Sequence, residues 1–120
     1  MALQVGHPID QHFEFVEALV DTGSTYTWIP RPLLNRLGIP PTDFRRLQMA
    51  DGRVIEREAG LALITVRDRT VATLCIFGDA ESMPLLCAVS LEELGLAADP
   101  VQRRLVPVIG YALASAPAVQ

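Results

Sequence analysis

Short runs of apolar and β-branched residues, cut at close intervals by Gly, Pro and Asp, fill most of the chain and predict a mostly β fold. Phe13 to Val20 reads as a strand stopped by Asp21, and Thr25 to Ile29 as the strand that leaves the turn. Phe44 to Ala50 and Arg53 to Glu58 flank Asp51-Gly52, a dipeptide suited to a tight hairpin. Leu61 to Val66 and Val71 to Phe77 are joined by the charged turn Arg67-Asp68-Arg69. Leu85 to Val89 is a further apolar run, and Val101 with Leu105 to Val108 suggests a last hairpin. Two short helices interrupt the strands. Leu33 to Leu37 follows the break at Pro30 to Pro32 and stops at Gly38; the second opens on Ser90 and Glu93 as a capping box and closes at Gly95. The segment before Phe13 reads as polar, with His7 and His12 lacking an evident partner.

The helices share a pattern: Leu34-Asn35-Arg36-Leu37-Gly38-Ile39 echoes Leu91-Glu92-Glu93-Leu94-Gly95-Leu96. Each copy follows an apolar strand and a turn, Leu19-Val20-Asp21 before the first and Leu85-Leu86-Cys87 before the second. A duplicated strand–turn–strand–helix unit would pack its copies about a local pseudo-twofold axis, although core patterning alone also produces such helices.

At 120 residues the chain makes one domain, and its 50% apolar content exceeds what so small an interior absorbs, so an oligomer interface is expected. A net charge of -4 argues against nucleic acid or an anionic membrane as partner. Cys75 and Cys87 are too few for a disulfide framework, and with His7 and His12 they show no metal-ligand spacing. Buried, reduced thiols and no metal or cofactor are expected. The N-terminus lacks a basic region followed by an apolar core, and the longest uncharged stretch, Leu105 to Gln120, is short and broken by Pro107 and Pro117. A soluble, cytoplasmic protein is the expectation.

The chemistry concentrates in Ala18-Leu19-Val20-Asp21-Thr22-Gly23-Ser24-Thr25. An apolar run ended by Asp and Gly presents a carboxylate on a tight turn, as acid–base chemistry on a peptide bond requires; a strand ending in a purely structural Asx turn uses the same residues. The segment resembles the active-site loop of aspartic proteases, Asp-Thr-Gly followed by Ser, Thr or Ala. With one such triplet in 120 residues, the resemblance is to the retroviral-type (retropepsin-like) single-lobe branch, in which two identical chains each supply one aspartate. The Asp51-Gly52 hairpin falls where that family carries its flap. Leu85-Leu86-Cys87 with the helix from Leu91 to Gly95 falls where an apolar-apolar-Gly segment and helix lie against the active-site loop. The resemblance spans residues 13 to 108. It implies a closed, barrel-like aspartic-protease lobe with two short helices over residues 1–110, a symmetric homodimer, and an apolar C-terminal tail over 111–120.

The same resemblance implies a homodimeric aspartic endopeptidase acting on extended peptide or unfolded protein, with Asp21 of each chain in a dyad that activates water. Thr22 would bond across the twofold axis and Gly23 would bring an amide to the carboxylates. Ser24 would bond either the outer carboxylate oxygen or its own local backbone. Met49, Ala50, Asp51 and Gly52 would form the flap tip over the substrate, the charges there solubilising an exposed hairpin. Tyr26 and Trp28 are expected in the core or the dimer interface. One departure stands out, Cys87 in place of the family's glycine, where an added Cβ could displace the loop and lower activity. Cys87 also admits a second reading, a catalytically weak or inactive module of the same fold that dimerises or binds peptide.

Overall fold

Buried and exposed side chains alternate along most of the strands, and the alternation decides which face of each meets the core. In the computed structural model, described over residues 1–10, 12–99, 101, 102 and 104–108, the strands are β1 (Ala2–Gly6), β2 (Phe13–Glu17), β3 (Leu19–Asp21), β4 (Thr27–Pro30), β5 (Asp43–Gln48), β6 (Val54–Val66), β7 (Arg69–Gly78), β8 (Leu85–Cys87), β9 (Leu96–Asp99) and β10 (Arg104–Pro107). Helix α1 (Arg31–Arg36) follows β4, and α2 (Ala88–Glu93) follows β8. The helices, Leu3, Val5, Ile29, Ile64, Phe77, Leu86 and Leu105 enclose one apolar core. The proposed tail over 111–120 lies outside the described residues.

The expected closed barrel is not formed. The main sheet runs β2-β1-β6-β7-β4-β8-β3 with β5 added on β6, and among the described residues no ladder joins its end strands. The cause lies at Ala18. β2 and β3 are consecutive pieces of one extended stretch, so the sheet's two ends meet end to end rather than side by side. Before Ala18 the chain pairs with β1, after it with β8. Ala18 itself is buried and its N–H donates to the Met1 carbonyl at 2.8 Å.

Three further expectations are corrected. The segment before Phe13 contributes a strand, β1, whose Leu3 and Val5 are fully buried between β2 and β6. Arg53–Glu58 and Leu61–Val66 are one strand of 13 residues, β6. Gly60 does not break it; a Cβ there would lie 2.6 Å from the Pro40 carbonyl oxygen, so glycine admits the crossing segment instead. The Ser90–Glu93 capping box is absent too. The N-cap of α2 is Cys87, whose Sγ accepts from the Ser90 amide, and Ser90 is buried inside the first turn.

The internal repeat is real in its helices and shifted in its strands. Leu34, Leu37 and Ile39 are buried as Leu91, Leu94 and Leu96 are, and Gly38 and Gly95 end their helices at φ 73° and 71°. The strand before α1 is β4, however, and its counterpart before α2 is β8; the counterpart of β3 is β7. The copies cross-pair: β3 runs parallel to β8 and β4 parallel to β7, while Trp28 of β4 meets Leu85 of β8 in an antiparallel bridge between them. Each leading strand runs out into a turn closed by a Ser amide on an Asp carbonyl, Ser24 on Asp21 and Ser82 on Asp79, both at 3.1 Å. Because β4 and β8 are antiparallel, these turns stand at opposite ends of the repeat.

Candidate active site

Asp21 is the last residue of β3 and lies in register with Cys87 of β8, after Leu19 with Leu85 and Val20 with Leu86. The apolar pairs anchor the strand, and the carboxylate follows directly from that anchored backbone. The Gly23 amide donates to Asp21 Oδ1 at 3.0 Å, completing an Asx turn. Asp21, Thr22 and Gly23 are all exposed, and Asp21 enters no ion pair among the described residues. The Ser24 hydroxyl takes the local-backbone alternative: it donates to the Tyr26 carbonyl at 2.7 Å. Thr22 borders a hollow of about 580 Å³ shared with Leu19, Val20, Ala98, Arg104 and Leu105.

β5 and the first half of β6 form the hairpin expected as a flap, paired from Asp43 with Ala59 to Gln48 with Val54. Its tip turns through Met49, Ala50, Asp51 and Gly52, with the Met49 amide on the Arg53 carbonyl at 2.7 Å and the Gly52 amide on the Met49 carbonyl at 2.9 Å. The Arg53 amide, then its guanidinium, hold the Asp51 carboxyl below its ordinary value. A groove of about 350 Å³ runs between this hairpin and the Asp21 turn. Gly23, Ser24, Thr25, Tyr26 and Trp28 form one wall, Arg46 to Met49 the other. The structure thus gathers Gly23, Ser24 and Met49 around one groove, while Ala50, Asp51 and Gly52 stand beyond its lining. Tyr26 and Trp28, expected in the core or an interface, are half-buried and border the groove.

Beneath the turn lies a layer that the sequence reading missed. The Thr27 hydroxyl, buried, accepts from the Cys87 amide at 3.2 Å and bonds Ser90 Oγ at 2.7 Å. Ser90 Oγ bonds Thr73 Oγ1 at 2.9 Å, and Thr73 Oγ1 donates to Glu93 Oε1 at 3.0 Å. Cys87 fits its place with the β3–β8 register intact, its Sγ directed to Thr27 and Ser90 at 3.4 Å. Both cysteines are free and buried, and burial pushes the Cys75 thiol up to about 12. Among the described residues no cluster of three or more His, Cys, Asp or Glu could hold a metal ion, and no helix is long and apolar enough to cross a membrane.

A sequence model of the family described as Aspartyl protease matches residues 9–86. No curated protein sequence matched the chain. Among solved structures, the chain is similar to the simian foamy virus (mac) protease, seen in solution, at 16% identity and a TM-score of 0.54, over 77% of this chain and 92% of that one. It is also similar to the EIAV protease complexed with the inhibitor HBY-793, at 17% identity and a TM-score of 0.56, over 79% of this chain and 86% of that one. At these identities the likeness shows the fold, a mostly β lobe with two short helices.

Proposed function

The chain belongs to the aspartyl protease family and is an aspartic-type endopeptidase of retropepsin-like fold, and on that premise we propose that two copies join their Asp21 turns to make one catalytic site. The observation that carries this reading is the exposed Asp21 carboxylate, in no ion pair among the described residues, on a turn fixed by the β3–β8 ladder. A single such carboxylate has no partner with which to divide the acid and base roles. Apolar side chains at this end, Leu19 and Val89, are 53% and 49% exposed, which suits coverage by a second copy.

Two carboxylates a few ångströms apart resist double ionisation, so the pair holds one proton between them and titrates as a unit. The ionised member takes a proton from water as its oxygen bonds the scissile carbonyl carbon. The protonated member gives its proton to the carbonyl oxygen as charge develops there. Proton transfer to the amide nitrogen then lets the C–N bond break, yielding an acid and an amine. Thr22 would fix the two turns to each other, and the groove beside Met49 would receive an extended peptide whose backbone pairs with the hairpin.

Cleavage of a mixed library of unstructured peptides between pH 4 and pH 7, comparing wild type with Asp21→Asn at equal dimer mass by analytical ultracentrifugation, tests the proposal. Cleavage lost only in the variant supports it. A wild-type dimer that binds peptides without cutting them overturns it in favour of a binding module, and a persistent monomer removes the dyad altogether.

A further inference from the structure

The layer under the Asp21 turn has a direction. A backbone N–H only donates, and an ionised carboxylate only accepts. At one end the Cys87 amide donates to Thr27 Oγ1; at the other Thr73 donates to the Glu93 carboxylate. A hydroxyl has one hydrogen, so Thr73, having spent its own on Glu93, accepts from Ser90. The Thr27 hydrogen has two acceptors in reach, Cys87 Sγ at 3.4 Å and Ser90 Oγ at 2.7 Å, and the nearer oxygen is the stronger acceptor. The hydrogens therefore all run one way, from the Cys87 amide through Thr27, Ser90 and Thr73 to Glu93. Each bond in such a chain polarises the next.

We propose that Glu93 is a positioning residue: through Thr73, Ser90 and Thr27 it holds the Cys87 amide, and with it the end of β8 against which Asp21 is registered. Thr27, Thr73 and Ser90 are buried and come from β4, β7 and α2, so the relay ties three elements to the one residue paired with Asp21. Glu93 itself is exposed. An exposed glutamate on a short helix has no structural reason to influence a turn on another strand, which makes this consequence of the relay easy to separate from ordinary folding defects. The inference rests on Asp21 being the catalytic carboxylate, and its test includes a readout independent of turnover.

The test compares wild type with Glu93→Ala, Glu93→Gln, Thr73→Val and, as a neighbour outside the relay, Glu92→Ala. Measured are kcat and KM on a cleaved peptide, dimer mass, and the amide NMR signals of Cys87 and Gly23. Glu93→Ala is expected to lower kcat about tenfold at unchanged KM and dimer mass and to move both amide signals, since small displacements of a catalytic group carry costs of this order. Glu93→Gln, whose side-chain carbonyl still accepts from Thr73, should recover most of the loss. Thr73→Val should reproduce Glu93→Ala, and Glu92→Ala should match wild type. Should Glu93→Ala leave both amide signals in place, the proposal is wrong, whatever happens to stability. If wild type cuts no peptide yet the amides move in this order, the relay stands and the peptidase reading falls.

Discussion

The two turns of the internal repeat make a natural comparison. Both follow a strand that pairs in parallel with the other copy, and both are closed by a Ser amide on an Asp carbonyl at 3.1 Å. They differ in what surrounds the carboxylate. Asp79 receives the Arg57 guanidinium at 2.7 Å, whereas Asp21 receives, among the described residues, only the Gly23 amide. The strands differ as well: the last four residues of β7 are buried, while Leu19 and Asp21 of β3 are exposed. One scaffold thus yields a neutralised turn behind a buried strand and an open turn with an available base. Backbone geometry alone does not make the site; the absence of a cationic partner among the described residues does as much.

The sharpest way to break this comparison is at the two aspartates. Asp21→Asn should lower peptide turnover at least about a thousandfold, the scale of lost acid–base catalysis, while Asp79→Asn keeps turnover near wild type. Equal losses in the two variants would mean that the turns share a structural role. Next in size, Leu34→Ala and Leu91→Ala remove matching core leucines and should each cost about 2–5 kcal/mol by urea denaturation. A large cost in only one would show that the copies do not share the core equally. Gly38→Ala should cost about 1–2 kcal/mol, the penalty of a side chain at φ 73°. Gly95→Ala should cost more, because its Cβ would also meet Arg69 Nη1 at 2.6 Å, where that side chain donates to the Leu94 and Gly95 carbonyls. Calorimetric melting temperatures would rank the pair.

The smallest effect probes the burial of β7. Burial raises the Cys75 thiol to about 12 in the folded chain, from an ordinary value of 9.0. A raised folded value contributes stability in full below the unfolded value and loses it as pH climbs towards the folded one. Wild type should therefore lose about 0.8 kcal/mol at pH 9.5 through this group, and Cys75→Ala should lose that much less over the same range. Identical pH profiles would mean that the end of β7 admits water.

Much of this was legible in the chain. Apolar runs between turn residues located most of the strands, and Asp21-Thr22-Gly23 marked the exposed turn because its spacing is local. β1 was obscured because its alternation is only five residues long and runs straight into polar residues around His7. The relay was hidden for another reason. Ser90-x-x-Glu93 satisfies the capping-box pattern, yet Ser90 is drawn inward by Thr27 and Thr73, far from it in sequence. Local pattern cannot reveal a hydroxyl recruited by tertiary neighbours. The repeat was misaligned because both apolar triplets precede a turn or helix, and only the pairing shows which strands correspond.

The parallel ladder between β3 and β8 also dictates an order of events during synthesis. Among the described residues β3 pairs in the sheet with β8 alone, and β8 is encoded far downstream, Leu19 waiting for Leu85. Long-range pairing of this kind forms late, after the closure of a large loop. While the nascent chain is still being extended, the strand that carries Asp21 has nothing to hold it in register. The carboxylate is therefore set in place only after the stretch through Cys87 has been made, and a copy still lacking β8 carries no assembled site with which to cut its neighbours.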